Sequence, residues 1–584
     1  MKISKLEIKR FRGIRKCELN FDGDAVLIGD NNVGKSTVLE AINLVLGPDR
    51  LRSNPVINEH DFYVGEYQEC ESGKPNEIKI QVTLTDLNDE QRTRFMNEVE
   101  WWDRSAKTFV SSIESMDSDF VEAALRVTFL GQYDAVEDDF SGRTYFTRSL
   151  MDEDTPRSFT KMDKRFCGFL YLRSLRTARR ALSLEHGSLL DIILRLKEMR
   201  PQMWENTITQ ARKWDVAEDP ELGISGILES IEKAMRKYVP HEWGIKPQLK
   251  VSDLTRQHLR QIITPFINSG LSGHIAPFYR QGRGTLNLLV LAMLSQIAEV
   301  KKNVIFAMEE AETAIPPYAQ KRIIHEVRNF ASQSLFTSHS PYVLEEFNIN
   351  EMTILSRESD GLMNQGSVNL PDSIKSKRYR REFRTRFCEG LLSSRILIAE
   401  GATEASAMPA VALRLAELNP ETYSSLESLG LCTIDAGGES NIVDVVKMYK
   451  KLGKTIFAVC DRQDVDKENE INTHVEKLFM HQENGFEDLI IKGTTTNAMK
   501  RYSETIDLPN EMKVKYSNLD EEFEKAFRNY LKSSKGIGVA ADFLSQCVED
   551  EIPEWIKSTC KDLKHLCSLE YERHNKDNEK IVDE

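Results

Sequence analysis

The sequence predicts a multidomain α/β protein, in which a nucleotide-binding head split by a helical insertion is followed by a doubly wound domain with a parallel sheet. Three observations predict it. A phosphate-binding loop separates an apolar run from a helical run near residue 30, a later strand ends in paired glutamates, and strand, glycine turn and helix alternate after residue 391. A chain of 584 residues has room for roughly three or four domains with large cores.

The first element is "LIGDNNVGKSTVLEAI", Leu27 to Ile42, where Gly29, Gly34, Lys35 and Ser36 fit G-x-x-x-x-G-K-[ST]. The apolar "AVLIG" before it reads as a strand, and "STVLEAINLVL" after it has helical spacing. In such a loop the glycines let backbone N–H groups turn towards phosphate oxygens, Lys35 reaches the outer phosphates, and Ser36 or Thr37 ligates Mg²⁺ at a helix N-terminus. Asn31 and Asn32 complete the expected ATP-binding loop. A plain glycine turn between core elements is the alternative, and the flanking strand and helix disfavour it. "KISKLEIKRF", "KCELNF" and "EIKIQVTLTDL" supply further strands, so residues 1–87 form the N-terminal part of an ATPase.

Residues 88–274 are expected to be mainly helical, on runs such as "HGSLLDIILRLKEM" and "SGILESIEKAMRKYV", with Trp101 and Trp102 at the start. Prolines 156, 201, 220, 240 and 247 cut this insertion into short pieces, which excludes a long coiled-coil arm and suits a dimerisation or clamp module. The ATPase resumes over 275–372. "NVIFAMEEAE" places an apolar strand before Glu309, expected to hold Mg²⁺ through water, and Glu310, expected to polarise the attacking water. A surface acidic cluster is the bland alternative. "SLFTSHSPYVL" is a second strand ending at His339, where an imidazole can sense a γ-phosphate. Gln281, Gly282 and Gly284 precede a helix, where backbone N–H groups can meet the ATP of a facing subunit; that loop requires a homodimer or higher homo-oligomer.

After 391 the chemistry changes. "SSRILIAEGATEASAM" is a strand that delivers Glu400 to a glycine turn, with Glu404 one helical turn later on the same side. "LCTIDAGGES" is another strand and turn, and "KTIFAVCDRQDVD" ends a third strand at Asp461, with Asp464 and Asp466 behind it. Acids at the carboxyl ends of parallel strands occupy the ligand-binding edge of such a sheet, and they provide the hard oxygens that Mg²⁺ or Mn²⁺ prefers.

The opening strand, the phosphate loop, the short glycine signature, "FAMEEAE" and "TSHSPYVL" together resemble ABC-type ATPase heads of the RecF and SMC class, most of all the OLD (overcoming lysogenisation defect) family. Ala311 and "AIPP" depart from the family's usual continuation after the glutamates. The later region resembles the Toprim domain of topoisomerases, primases and OLD nucleases. The fold expected is therefore an ABC/RecF-like ATPase head with a helical insertion, followed by a doubly wound Toprim domain over 391–584. The resemblance maps Glu400, Glu404 and Asp461 as metal ligands, adds Glu487 from "GFEDLII", and places Lys535 beside the scissile phosphate as transition-state stabiliser. Glu400 and Lys535, with Glu310 in the head, are the expected catalytic residues. In the family's Asp-x-Asp, Gln463 replaces the second Asp; either a loop displaced by one residue brings Asp464 to the metal instead, which is the favoured expectation, or only one metal is held tightly.

The resemblance implies an ATP-binding, Mg²⁺- or Mn²⁺-dependent DNA endonuclease, gated by its ATPase head and serving prokaryotic defence against phage or plasmid DNA. Gabija-type systems pair such nucleases with a UvrD-like helicase, so a helicase partner is an expectation too. A non-cleaving DNA-repair clamp resembling RecF is the alternative, and a topoisomerase or primase relation lacks motif support. The net charge of −14 restricts DNA contact to local basic surface. The linker 373–390 offers one through Lys377, Arg378, Arg380 and Arg381 among aromatic residues, although a solvated helix face explains it equally. Nine cysteines without a C-x-x-C pair, no apolar leader and no long apolar span point to a cytoplasmic protein without a membrane segment.

Overall fold

The computed structural model describes residues 1–48, 56–69, 74–110, 120–152, 155–172, 188–196, 200–213, 224–235, 255–268, 275–280, 304–310, 316–368, 384–506, 520–534 and 537–582, with isolated positions between 184 and 313. The chain forms two compact units, one of residues 2–45, 57–159 and 335–584, the other of residue 1, 46–56 and 160–334.

In the first unit, the alternation of "KISKLEIKRF" becomes β1 (Lys2–Phe11), with Ile3, Leu6 and Ile8 fully buried. β1 pairs antiparallel with β2 (Ile14–Asn20) and with β4 (Ile78–Thr85). The uniformly apolar β3 (Ala25–Ile28) is buried on both faces and runs parallel to β13 (Gln333–Thr337) and β14 (Met352–Arg357). β15 (Leu362–Ser367) links β14 to β2.

The expectation of a helical segment beginning at residue 88 needs correction. β5 (Val99–Asp103), β6 (Thr108–Val110), β7 (Val121–Asp134) and β8 (Asp139–Phe146) extend the same sheet from β4. The physical reason lies in "VEAALRVTFLGQYD", whose apolar and β-branched residues pair along β4 and bury Leu125, Val127 and Phe129 on one face. Trp102 is buried while neighbouring Trp101 is exposed, the period of a strand. Within this unit the sheet order is β6-β5-β7-β4-β1-β2-β15-β14-β3-β13, with β8 on the free side of β7.

The second unit holds the helices that the later runs predict, Leu189–Leu196 and Ile224–Met235, together with Arg200–Lys213. Leu184, Trp204 and Leu259 make a small core there. Its strand β9 (Phe169–Leu172) runs parallel to β12 (Ile305–Met308), the buried strand that precedes the paired glutamates.

The Toprim-like region belongs to the first unit. Its four parallel strands stand in the order β17 (Leu431–Asp435), β16 (Arg395–Ala399), β18 (Thr455–Cys460) and β19 (Lys477–Met480). Helices Ala402–Leu418, Ile442–Lys451 and Val465–Asn472 connect them, as the alternating pattern predicts. Register fixes the functional edge: Ala399 pairs with Asp435 and Val459, and Cys460 with Met480. The residues that follow, Glu400, Asp461 and His481, therefore leave the sheet side by side. Leu397, Phe457, Val459, Val411 and Phe486 pack beneath them in one core.

Candidate active site

The nucleotide loop follows from its glycines. Gly34 has φ +112°, a region favouring glycine, and a Cβ there would stand 2.8 Å from Met363 Cε. At Gly29 a Cβ would meet the Leu355 carbonyl oxygen at 2.6 Å, so β14 presses the loop's backbone directly. Helix Lys35–Leu46 begins at the loop's last turn. Lys35 is buried and donates to the carbonyls of Gly29 (2.7 Å) and Asp30 (2.9 Å), which curls the loop around the ammonium. Asn31, Asn32 and Ser36 face solvent, Asn32 at φ 68°, and Thr37 is half-buried. This frame suits a polyphosphate: a tight glycine-bearing loop, one long-armed cation and a helix start. His339 is exposed just beyond β13, where the Ser340 N–H donates to Ser338 Oγ at 2.9 Å.

The paired glutamates lie in the other unit. The Glu309 N–H donates to the Leu172 carbonyl at 3.0 Å, and its carboxylate accepts from the Tyr171 hydroxyl. Glu310 adopts φ 44°, rare for a side-chain-bearing residue, and accepts from Thr313 Oγ1 at 3.1 Å. At Gly282 a Cβ would meet no atom of the described residues within 4 Å. Gln281, Gly284, Lys377, Arg378, Arg380, Arg381 and Lys535 lie outside the described residues.

The second acidic site stands at the carboxyl edge of the parallel sheet. Glu400 Oε2 accepts the Asp461 N–H at 3.1 Å and the Gln463 amide at 3.2 Å. Glu404 is buried in the first turn of Ala402–Leu418, and Glu487 is buried in the first turn of Phe486–Gly493, accepting from Thr403 Oγ1 at 3.1 Å. Gly485, at φ +114°, keeps their approach open; a Cβ there would stand 3.3 Å from Glu487 Oε2 and 3.9 Å from Asp461 Oδ2. The expected acids Glu400, Glu404, Asp461 and Glu487 thus converge on one edge.

Their electrostatics are those of carboxylates short of positive charge. Burial, followed by repulsion from Asp461, Glu400 and Glu487, pushes the Glu404 carboxyl up to about 7. Burial also raises Glu400, with Asp461 and Glu439 adding to it against the stabilising Asp461 N–H. Among the described residues no group of three or more His, Cys, Asp or Glu side chains is arranged to hold a metal ion. The donors nevertheless fit a divalent cation: hard oxygens, desolvated and mutually repelling, with Asp461 Oδ1 and Gln463 Oε1 buried and without hydrogen bonds.

At the Asp-x-Asp position the geometry departs from the expected one-residue displacement. Asp464 is exposed where helix Val465–Asn472 begins, whereas Gln463 is buried against Glu400. The Gln463 N–H contacts Met480 Sδ at 3.4 Å and its amide also donates to the Asp461 carbonyl at 3.3 Å, which fixes the loop in this register.

Residues 391–462 match the family described as overcoming lysogenization defect protein-like, TOPRIM domain, and residues 1–123 match the AAA ATPase domain. The chain joins an AAA ATPase domain to an OLD-like Toprim domain. It is 21% identical to Endonuclease GajA of Bacillus cereus (strain VD045) over 596 residues, which cover 92% of this chain and 94% of that protein. Among solved structures, the SMC head bound to the C-winged helix domain of ScpA aligns at 13% identity and a TM-score of 0.34, over 64% of this chain and 100% of that one. The SMC head domain from Thermotoga maritima gives 13% and 0.30, over 63% and 100%.

Two features of the Toprim site escaped sequence reasoning. Asp488 is buried beneath it and held by Arg528 and, at 3.2 Å, by Lys532, a pairing across forty residues that no local spacing announces. His481 lies beside Asp461, and its signal was available: it follows an apolar strand just as Glu400 and Asp461 do.

Proposed function

We propose that this chain is an ATP-binding, divalent-metal-dependent DNA endonuclease whose Toprim domain cuts and whose ATPase head gates the cutting, in the defence of a prokaryotic cell against invading DNA. The convergence of Glu400, Glu404, Asp461 and Glu487 at one sheet edge, with raised carboxyl pKa values at Glu400 and Glu404, carries this reading. The near full-length similarity to an endonuclease supports it.

Glu400, Asp461, Glu487 and the Gln463 side-chain oxygen are the groups that would hold Mg²⁺ or Mn²⁺. Bound there, a divalent ion supplies the positive charge that phosphodiester hydrolysis requires. Glu404, its carboxyl raised to about 7 by burial and by the neighbouring acids, lines the wall of the site, and the Asp461 N–H and Gln463 amide orient Glu400. Lys535 is assigned beside the scissile phosphate as transition-state stabiliser, and Lys377, Arg378, Arg380 and Arg381 to the DNA backbone. In the head, Lys35, Ser36 and Thr37 take the nucleotide phosphates and Mg²⁺, Glu309 the metal's water, Glu310 the attacking water, and His339 the γ-phosphate. Gln281, Gly282 and Gly284 address the ATP of a second copy in a homo-oligomer, and a UvrD-like helicase is a further candidate partner.

Supercoiled DNA with Mg²⁺ or Mn²⁺ tests this directly. Glu400→Ala should lose cleavage while keeping ATP binding; a variant that still cuts would place the cutting outside this acidic edge, and a wild type that binds DNA without cutting would favour the non-cleaving repair clamp.

A further inference from the structure

His481 occupies a position unlike that of an ordinary core histidine. It is 2% exposed, it sits between the rings of Phe486 (centroids 6.2 Å) and Trp555 (5.1 Å), and neither ring nitrogen makes a hydrogen bond. A buried imidazole normally satisfies at least one nitrogen, because an unpaired buried polar group costs about 1–3 kcal/mol. Its Nε2 stands 2.9 Å from Asp461 Oδ1, an atom equally without a hydrogen bond. The contact has the distance of a hydrogen bond without its direction. It has the spacing of two adjacent corners of an octahedron, about 3 Å for bonds of about 2.1 Å.

The backbone holds the pair in place. The His481 N–H donates to the Cys460 carbonyl at 3.3 Å, and Cys460 pairs in register with Met480, so both side chains leave the sheet together. The rings of Trp555 and Phe486 pack against the imidazole. Gln463 stands in the same edge with its Oε1 buried and unpaired, a neutral group where a second aspartate would contribute charge.

We propose that His481 is a nitrogen ligand to the divalent cation of this site, sharing it with Asp461, and that it makes the site selective for a first-row transition-metal ion over Mg²⁺. The inference rests on the reading of this edge as a metal-dependent nuclease centre. Imidazole suits transition-metal ions, whereas Mg²⁺ favours carboxylate, carbonyl and water oxygen. Replacing one aspartate by a glutamine lowers the charge offered to any divalent ion alike, and the added imidazole nitrogen is the donor that favours a transition-metal ion over Mg²⁺.

The test uses the full chain without nucleotide, with Mn²⁺ as the probe. Electron spin echo spectra of bound Mn²⁺ should show imidazole ¹⁴N coupling in the wild type and lose it in His481→Gln. Mn²⁺ affinity in that variant should fall by roughly tenfold or more, with a smaller change for Mg²⁺. Wild-type Mn²⁺ without ¹⁴N coupling, or coupling that survives His481→Gln, overturns the assignment even if DNA is still cut. A wild type that neither binds Mn²⁺ nor cuts DNA overturns the nuclease reading itself. The wild-type spectrum decides the matter should His481→Gln fail to fold.

Discussion

Glu404 sits in the first turn of a buried helix with three other carboxylates for neighbours, and its carboxyl is pushed up from 4.5 to about 7. An unfolded chain would ionise it near 4.5, so between 4.5 and 7 the native state binds more protons than the unfolded state and stability falls as pH rises. Below that window the penalty is absent; above it the full cost, on the order of 2–4 kcal/mol, persists in metal-free protein. Glu404→Gln should therefore raise the melting temperature of metal-free protein at pH 8 and change it little at pH 5, by differential scanning calorimetry; equal shifts at both pH values would contradict the raised carboxyl. At the neighbouring loop, Asp464→Ala should leave cleavage within about twofold, because exposed Asp464 touches none of the acids, while Gln463→Ala should slow it by roughly tenfold or more through the loss of a donor to Glu400 and of a buried oxygen. The strand ends announced Glu400 and Asp461 as candidates, whereas Glu487 came only with the family resemblance. The residue letters could not say which of Gln463 and Asp464 turns inward, because that depends on Met480 and the Asp461 carbonyl across the loop.

Strand β16 is the central element of the Toprim sheet, bordered on both sides by parallel partners and filled with fully buried apolar side chains. Leu397→Ala would leave a cavity between the sheet and its helices and should cost about 2–5 kcal/mol, read as a lower denaturation midpoint with DNA cleavage lost in proportion to unfolding. In the head, Gly29→Ala drives a methyl against the Leu355 carbonyl, and backbone cannot swing aside as a side chain can. Fluorescent-nucleotide titration should show that variant losing ATP binding as severely as Lys35→Ala; near-normal affinity would remove β14 as the wall of the loop. Period-two and strand–turn–helix patterns made β1, β3, β16 and β18 legible from sequence. Strands β5 to β8 were missed, because a stretch with few glycines beside strongly helical runs offered no boundary, and their strand identity depends on the β4 edge that they extend.

At the scale of the whole chain, two nucleic-acid-related chemistries sit on one polypeptide: a phosphate loop near the start of the described residues and an acidic edge some four hundred residues later. Both were readable as motifs, whereas the pairing of Asp488 with Arg528, forty residues apart, was not. Lys35→Ala should abolish nucleotide binding yet leave Mn²⁺ binding by the acidic edge unchanged in calorimetric titration; loss of both would show that the loop supports the fold of its unit.

The side chains of this sheet edge do not come from one local stretch. Glu400, Asp461, His481 and Glu487 leave different strands and turns, and Trp555, which walls His481, belongs to a helix that packs through Cys560, Leu563 and Cys567. A ribosome delivers these pieces in order, so a nascent chain that has emerged only past Asp461 has Glu400 but no Glu487, and one past Glu487 still lacks the wall of Trp555. An edge assembled from segments so far apart in the chain is complete only when the last of them has been synthesised.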